Sequence, residues 1–277
     1  MSSVKDHAIV LRLLDWSETS QIAVLLTAQH GKISATAKGA KRQTPSTLAK
    51  FSGGLELLSR GEAVFIPKRG SELANLTEWD LLDAHWHLRR NLRALNLAMY
   101  GADLVHHLVQ DADPHLGTFT ALARFFRDLA GPEGSGGGGI QAALLRFQWA
   151  LVMDLGFGPV LDRDAQTGAE LGGGQTVGFS AIHGGTVADT GASDRWRVRR
   201  STIELLSRIA AGQRGVGGGG GSDEMVEVGG AEVGGDAEVV ERANKLLCVY
   251  FRAILDRSLP TMEAVLGTGG TGGGGTT

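Results

Sequence analysis

A single cysteine, Cys248, excludes an intrachain disulfide and any zinc site built on cysteines. No stretch of about 18 apolar residues occurs, which argues against a membrane-spanning helix. Residues Met1 to Asp15 also lack the basic region, apolar run and small-residue cleavage site of a secretion signal, so a soluble, cytoplasmic protein is expected. Aromatic side chains are scarce, at 6% of the chain, which leaves little for a binding mode that rests mainly on stacking. Glycine is abundant, yet no GxxxxGK followed by Ser or Thr occurs and no glycine cluster follows a strand, so a phosphate-cradling loop and nucleotide hydrolysis are excluded. His85 and His87 are two apart and His106 and His107 are adjacent, so neither pair has the i,i+4 spacing of a helical metal pair. No nucleophile, base and orienting group can be assembled. Neither an enzyme nor a cofactor is expected.

What is present begins with an uneven charge. The formal net charge is −3, but residues 1–70 carry ten Lys or Arg against five acids, a net of +5, which leaves −8 on the rest. That asymmetry suits a basic binding module joined to an acidic body. Glycines cluster at 136–139, 217–221 and 267–275, where they read as linkers and a tail.

Residues 7–69 show brief apolar and β-branched runs between turn signals. Strands are predicted at Ala8–Leu14, Gln21–Thr27, Lys32–Lys38, Leu55–Leu58 and Ala63–Ile66, with His30–Gly31 turning the second into the third. Five short strands with basic loops suit an OB-fold barrel. Beyond Trp79 the period becomes helical, from Leu88 through Leu92, Leu95, Met99, Ala102 and Val105 to Val109. Asp113–Pro114 reads as an N-cap and first helical residue, followed by the stripe Leu116, Phe119, Leu122, Phe126 and Leu129. Further helices are predicted at about Ile140–Leu155, from Arg200–Ser201 onward and over Val239–Leu259. The expected class is α+β: an OB-fold over 1–79, a helical domain over 80–266 with an irregular lobe at about 156–198 and a glycine-rich insertion at about 215–235, and a disordered tail over 267–277.

Lys38, Lys41 and Arg42 form the strongest candidate cluster, with Lys32 one strand-length away and Lys50 beyond a Pro45-containing loop. Lys68 and Arg69 belong to the same module. Such cations neutralise phosphates and release counterions without reading base sequence. Trp16, in a polar turn, is the aromatic positioned for exposure, while Phe51 and Phe65 are expected in the core. In the helical body, Arg124, Phe125 and Arg127 set an off-stripe aromatic between cations, which suits an acidic peptide ending in an apolar residue. Charge and barrel alone leave open an RNA-binding protein or an adaptor whose basic face docks an acidic partner.

The order Ala8-Ile9-Val10-Leu11-Arg12, Trp16-Ser17-Glu18-Thr19-Ser20, Leu25-Leu26-Thr27, His30-Gly31-Lys32-Ile33-Ser34 and Ala37-Lys38-Gly39-Ala40-Lys41-Arg42 resembles the start of RecO proteins. The likeness continues in Leu155-Gly156-Phe157-Gly158-Pro159, Leu161-Asp162, Gly178-Phe179-Ser180 and Gly184-Gly185, and more weakly around Lys245–Leu259. This resemblance implies an OB-fold followed by a helical domain and no catalysis. It also implies single-stranded DNA binding and annealing, support of recombinase loading in the RecFOR pathway, a nucleoid-associated location, and partnership with RecR and the C-terminal tail of single-strand DNA-binding protein. Many members carry a four-cysteine zinc motif in the irregular lobe. The matching positions here are Asp164, Thr167, Ala188 and Gly191, so zinc is not predicted and the lobe is expected to hold its shape by packing alone.

Overall fold

A computed structural model describes residues 2–42, 44–68, 70–130, 139–214 and 236–267. The glycine-rich insertion at 215–235 and the tail from 268 lie outside the described residues, as does Arg69.

Strands β1 (Val4–Asp15), β2 (Gln21–Thr27) and β3 (Gly31–Ala37) form an antiparallel meander. A short helix α1 (Pro45–Lys50) and a two-residue strand β4 (Phe51–Ser52) follow, then β5 (Arg60–Ile66) and β6 (Leu73–Asp83). The sheet order is β3-β2-β1-β5-β6-β4, and a parallel pairing of β3 with β6 closes the five long strands into a barrel. Closure removes the exposed edges that an open sheet would present. Alanines at 8, 23, 35, 37, 63 and 74 line the interior with Val10, Leu25, Phe65, Leu76 and Trp79, so the barrel is narrow and filled by side chains.

Two of the departures from the sequence expectation bear on the barrel. Leu55–Leu58 is a turn, not a strand. Gly53 and Gly54, at φ 74° and 83°, and Leu58, at φ 66°, turn the chain here, and Leu55 enters the barrel core while Leu58 enters the core of the helical body. The strand over Leu73–Asp83 escapes the sequence reading because a bulge breaks its period. Val64 pairs with Glu78 but Phe65 with Leu76, so the inward residues run Ala74, Leu76, then Trp79. The last barrel strand therefore passes residue 79 and ends at Asp83.

The outer side of β1 and β2 does not face water. Ile9, Leu11, Val24 and Leu26 are buried in the core of the helical body, each contributing about 2 kcal/mol of apolar burial. Burial on both faces explains why Ala8–Leu11 and Ala23–Leu26 are unbroken apolar runs. At the β2–β3 turn, Gly31 has φ 71°, and a Cβ there would lie 2.4 Å from the Asp113 carbonyl oxygen, so the turn seats directly on the chain at Asp113 in the helical body.

The body consists of α2 (Leu92–Leu108), α3 (Leu116–Asp128), α4 (Gly139–Asp154), α5 (Arg200–Arg214), α6 (Ala237–Ile254) and the short α7 (Glu263–Leu266). Asp113 is not the cap of α3, which starts two residues past Pro114. Its first turn is closed from α4 instead: the Asp154 carboxylate accepts from Thr118 N at 2.9 Å and Thr118 Oγ1 at 2.7 Å. Tyr100 donates to Gln148, Gln148 to Asn244 and Asn244 to the Gln141 carbonyl, a buried chain that joins α2, α4 and α6. Within the lobe expected to be irregular, β7 (Thr176–Ser180), β8 (Gly185–Val187) and β9 (Trp196–Arg199) form a sheet in the order β8-β7-β9. Phe179 anchors it, stacked on Trp196 and edge-on to Tyr250 of α6. Among the described residues no helix is long and apolar enough to cross a membrane.

Candidate nucleic-acid interface

The end of the barrel where β1 turns into β2 and β3 leads into α1 gathers four of the sequence-predicted cations. In the β1–β2 loop, Trp16 N and Ser17 N both donate to the Ser20 carbonyl at 3.1 Å. This tight loop leaves Trp16 64% exposed. The segment after β3 is tied to it: Gly39 N donates to Ser20 Oγ at 3.2 Å, and Lys41 N to the Thr19 carbonyl at 3.2 Å. Gly39, at φ 75°, makes that turn possible. Thr44 caps α1, Pro45 occupies its first turn, and Lys50 lies in its last. Lys38, Arg42 and Lys50 are exposed and have no ion pair among the described residues, whereas the Lys41 ammonium is held by Asp15. Leu48 is also exposed beside them, at 58%.

The remaining barrel cations stand elsewhere. Lys32 does not reach this end: its ammonium is largely buried, donating to the His106 carbonyl at 2.6 Å and pairing with Asp111 at 3.1 Å. It fastens β3 to the helical body. Lys68 is exposed at the opposite end of the barrel, beside a cleft of about 560 Å³ lined by His30, Phe65 and Pro67. Arg12, not singled out from the sequence, lies in the same seam as Lys32, with its guanidinium 3.2 Å from His106 Nε2. Burial first, then the charges of His107, Lys32 and Arg12, lower the His106 pKa to about 4, so this imidazole is neutral at neutral pH.

The aromatic of the second predicted cluster is not exposed. Phe125 is 2% exposed and stacks on Phe147 with ring centroids 4.6 Å apart. Helix α3 lies between α2 and α4 and so buries two adjacent aromatics rather than one stripe; Gly101, without a Cβ, gives Phe125 its space. Arg124 pairs with Asp128, and Arg127 is exposed, but no apolar anchor lies between them.

A groove of about 500 Å³ between β9 and α6 combines the two chemistries that this cluster lacks. Trp196, Val198, Leu246 and Val249 supply apolar walls; Arg197, Arg199, Arg242, Lys245 and Arg252 supply charge. Asp189 pairs with Arg197, Glu238 with Arg242, and Glu241 with Lys245, which leaves cationic charge in excess. The signal was present in the sequence: Arg242, Lys245, Val249 and Arg252 recur at three- and four-residue steps along α6.

At the four positions that match the family's zinc cysteines, the side chains present do not fit zinc. The Asp164 carboxylate is occupied by backbone donors: Oδ1 accepts from Gln166 N and Thr167 N, each at 2.9 Å, and Oδ2 from Ala188 N at 2.7 Å. One carboxylate thus joins the 164–167 turn to the chain at 188, which corrects the expectation that packing alone shapes the lobe. No group of three or more His, Cys, Asp or Glu residues able to hold a metal exists among the described residues. Cys248 is buried, its thiol pushed up to about 11 chiefly by that burial, so it remains a protonated core residue.

Comparison with known proteins agrees with this architecture. The family model for recombination protein O, N terminal, matches residues 1–85, and that for recombination protein O, C terminal, matches residues 89–215. The DNA repair protein RecO of Anaeromyxobacter sp. (strain K) is 34% identical over 188 residues, covering 68% of this chain and 70% of the relative. That of Anaeromyxobacter dehalogenans (strain 2CP-C) is 31% identical over 217 residues, covering 76% and 81%. That of Rhodopirellula baltica is 36% identical over 183 residues, covering 66% and 64%.

Proposed function

The chain belongs to the recombination protein O (RecO) family of non-catalytic DNA-repair mediators, and from that premise we propose that its barrel is an OB-fold that binds single-stranded DNA at the Trp16 end and promotes annealing. The observation that carries this reading is the exposed Trp16 ring held on a hydrogen-bonded loop beside Lys38, Arg42 and Lys50. An aromatic face accepts any base, and neighbouring cations neutralise the backbone, so binding needs no sequence preference. With repulsion between strands screened, base pairing itself supplies specificity. In this reading the chain acts on the nucleoid in the RecFOR pathway, where it works with RecR and supports recombinase loading. The test is annealing of complementary strands by the full chain, with matched DNA and RNA oligonucleotides competing for it. Acceleration with DNA preferred supports the reading; RNA preference favours an RNA-binding protein, and the absence of both binding and acceleration favours a protein adaptor.

The β9–α6 groove, rather than the Arg124–Arg127 surface, is the proposed dock for the acidic tail of single-strand DNA-binding protein. Its apolar walls suit a terminal apolar side chain, and its arginines suit carboxylates. A labelled acidic peptide ending in phenylalanine is expected to bind the full chain and to lose about tenfold in affinity in a Lys245→Glu, Arg252→Glu variant. Unchanged affinity in the folded variant places the tail elsewhere.

A further inference from the structure

The junction between barrel and body presents a second exposed aromatic and cationic platform. After β6, His85 adopts φ 48°, is 2% exposed, and its Nδ1 lies 2.8 Å from the Leu58 carbonyl. The single 3-10 turn Trp86–Arg90 follows, with Leu88 buried beneath it. Asn91 then caps α2, its side chain accepting from Arg93 N at 2.9 Å and Ala94 N at 3.2 Å. A segment fixed at both ends and in its middle would be expected to bury its large side chains. Trp86 is nevertheless 59% exposed, and in the flanking chain Leu82 is 48% and Leu92 73% exposed. The Arg89 guanidinium stacks on the Trp86 ring, 4.8 Å from its centroid, and Arg90 is exposed. Glu56 pairs with Arg89 at 2.7 Å, and Asp83 lies at the end of β6, so the charge is cationic but not overwhelming.

This platform is separate from the Trp16 end. Arg60 pairs with both Ile9 and Asp83. Asp15 lies six residues beyond Ile9 along β1, or about 20 Å at the rise of a strand.

We propose that Trp86, Arg89 and Arg90 form a second single-strand binding surface, which holds the complementary strand while the first lies at the Trp16 end. The proposal rests on the annealing function above. Single-strand binding alone requires one surface, whereas bringing two strands together on one chain requires two. A rigid indole whose ring is already stacked on a guanidinium can take a base without ordering a loop, and Arg90 stands ready for the adjoining phosphate. The weaker charge suits a strand that must be released into the duplex.

The test uses the full chain and two non-complementary oligothymidylate strands with different labels, so that no duplex can form. Wild type is expected to bind both in succession, with tryptophan quenching in two phases. Trp16→Phe should remove quenching from the tighter phase and Trp86→Phe from the weaker one, both variants keeping an aromatic face and hence the fold. A Trp86→Ala, Arg90→Glu variant should keep the first affinity within about twofold and lose about tenfold in affinity for the second strand and in annealing rate. A second phase still quenched in Trp86→Phe, or an unchanged annealing rate in the folded double variant, overturns the second surface and leaves the first intact. If wild type binds no strand, the DNA-binding reading itself fails, and the second surface fails with it.

Discussion

Replacing Asp164 by alanine is expected to open the lobe over residues 156–199 and to lower its stability by about 3 kcal/mol, since it leaves three backbone donors without their charged acceptor. Asparagine should rescue only part of this loss. Its amide oxygen can replace Oδ1 toward Gln166 and Thr167, but its NH2 group then faces Ala188 N, donor against donor. Limited proteolysis across 164–195 reports the opening locally, while the barrel should resist as in wild type. The groove should fail with the lobe, because β9, which carries Trp196–Arg199, pairs with β7 and its Arg197 is tied to Asp189, both partners lying within the lobe. Acidic-peptide binding is therefore lost, and DNA binding at the Trp16 end is not. The effect has a defined pH dependence. Burial works to raise the Asp164 pKa, but hydrogen bonds from Thr167, Ala188 and Gln166 together outweigh it and hold the carboxyl below its ordinary value. A lowered pKa means a contribution that is complete above the unfolded-state value of about 4 and is lost as pH falls through the folded-state value. The stability difference between wild type and Asp164→Asn should narrow in that acid range and stay constant above it. A constant difference at every pH would mean that the carboxylate charge does not hold the lobe together.

How far each feature could be read from the sequence follows from the range of the interactions behind it. Strand β2 was expected at Gln21–Thr27 and lies there, because its apolar run is bounded by a turn on each side and both its faces are buried. Strand β6 escaped because the bulge opposite Val64–Phe65 shifts its inward residues by one, and a broken period of two is indistinguishable from a loop. Phe125 reads as lying off the buried stripe because one-dimensional periodicity assumes one buried face per helix, and α3 has neighbours on two. The cations of the barrel share a module in the sequence but not a surface: the strand they flank separates Lys38 from Lys32 by its full length. The β9–α6 groove draws on residues from 196 to 252, so the periodic face of α6 is legible locally while the β9 wall that completes the groove is not. The lobe was expected to lack a polar clasp because its cysteines are absent, yet a carboxylate and three amides perform that task by a different chemistry.

Reversing charge at Lys38, Arg42 and Lys50 is expected to abolish most single-strand binding at moderate salt and to flatten the logarithmic salt dependence of what remains by about 2, at roughly 0.7 per phosphate contact. The choice of residues follows from their surroundings. All three are exposed without an ion pair among the described residues, so each can displace a counterion from the strand. Lys41 already neutralises Asp15, and a phosphate gained there costs an existing pair; Lys41→Glu alone should change the slope by well under 0.7. Lys32 gives the opposite control. Its ammonium bridges β3 to the His106 carbonyl and Asp111, so Lys32→Ala should lower the unfolding midpoint while leaving the salt slope as in wild type. Trp16→Ala should behave differently again, weakening binding about tenfold at every salt concentration, because stacking releases no ions. A slope unchanged by the triple reversal, in a protein with wild-type stability, would exclude this end of the barrel as the phosphate-binding surface and move attention to Lys68 and the cleft beside it.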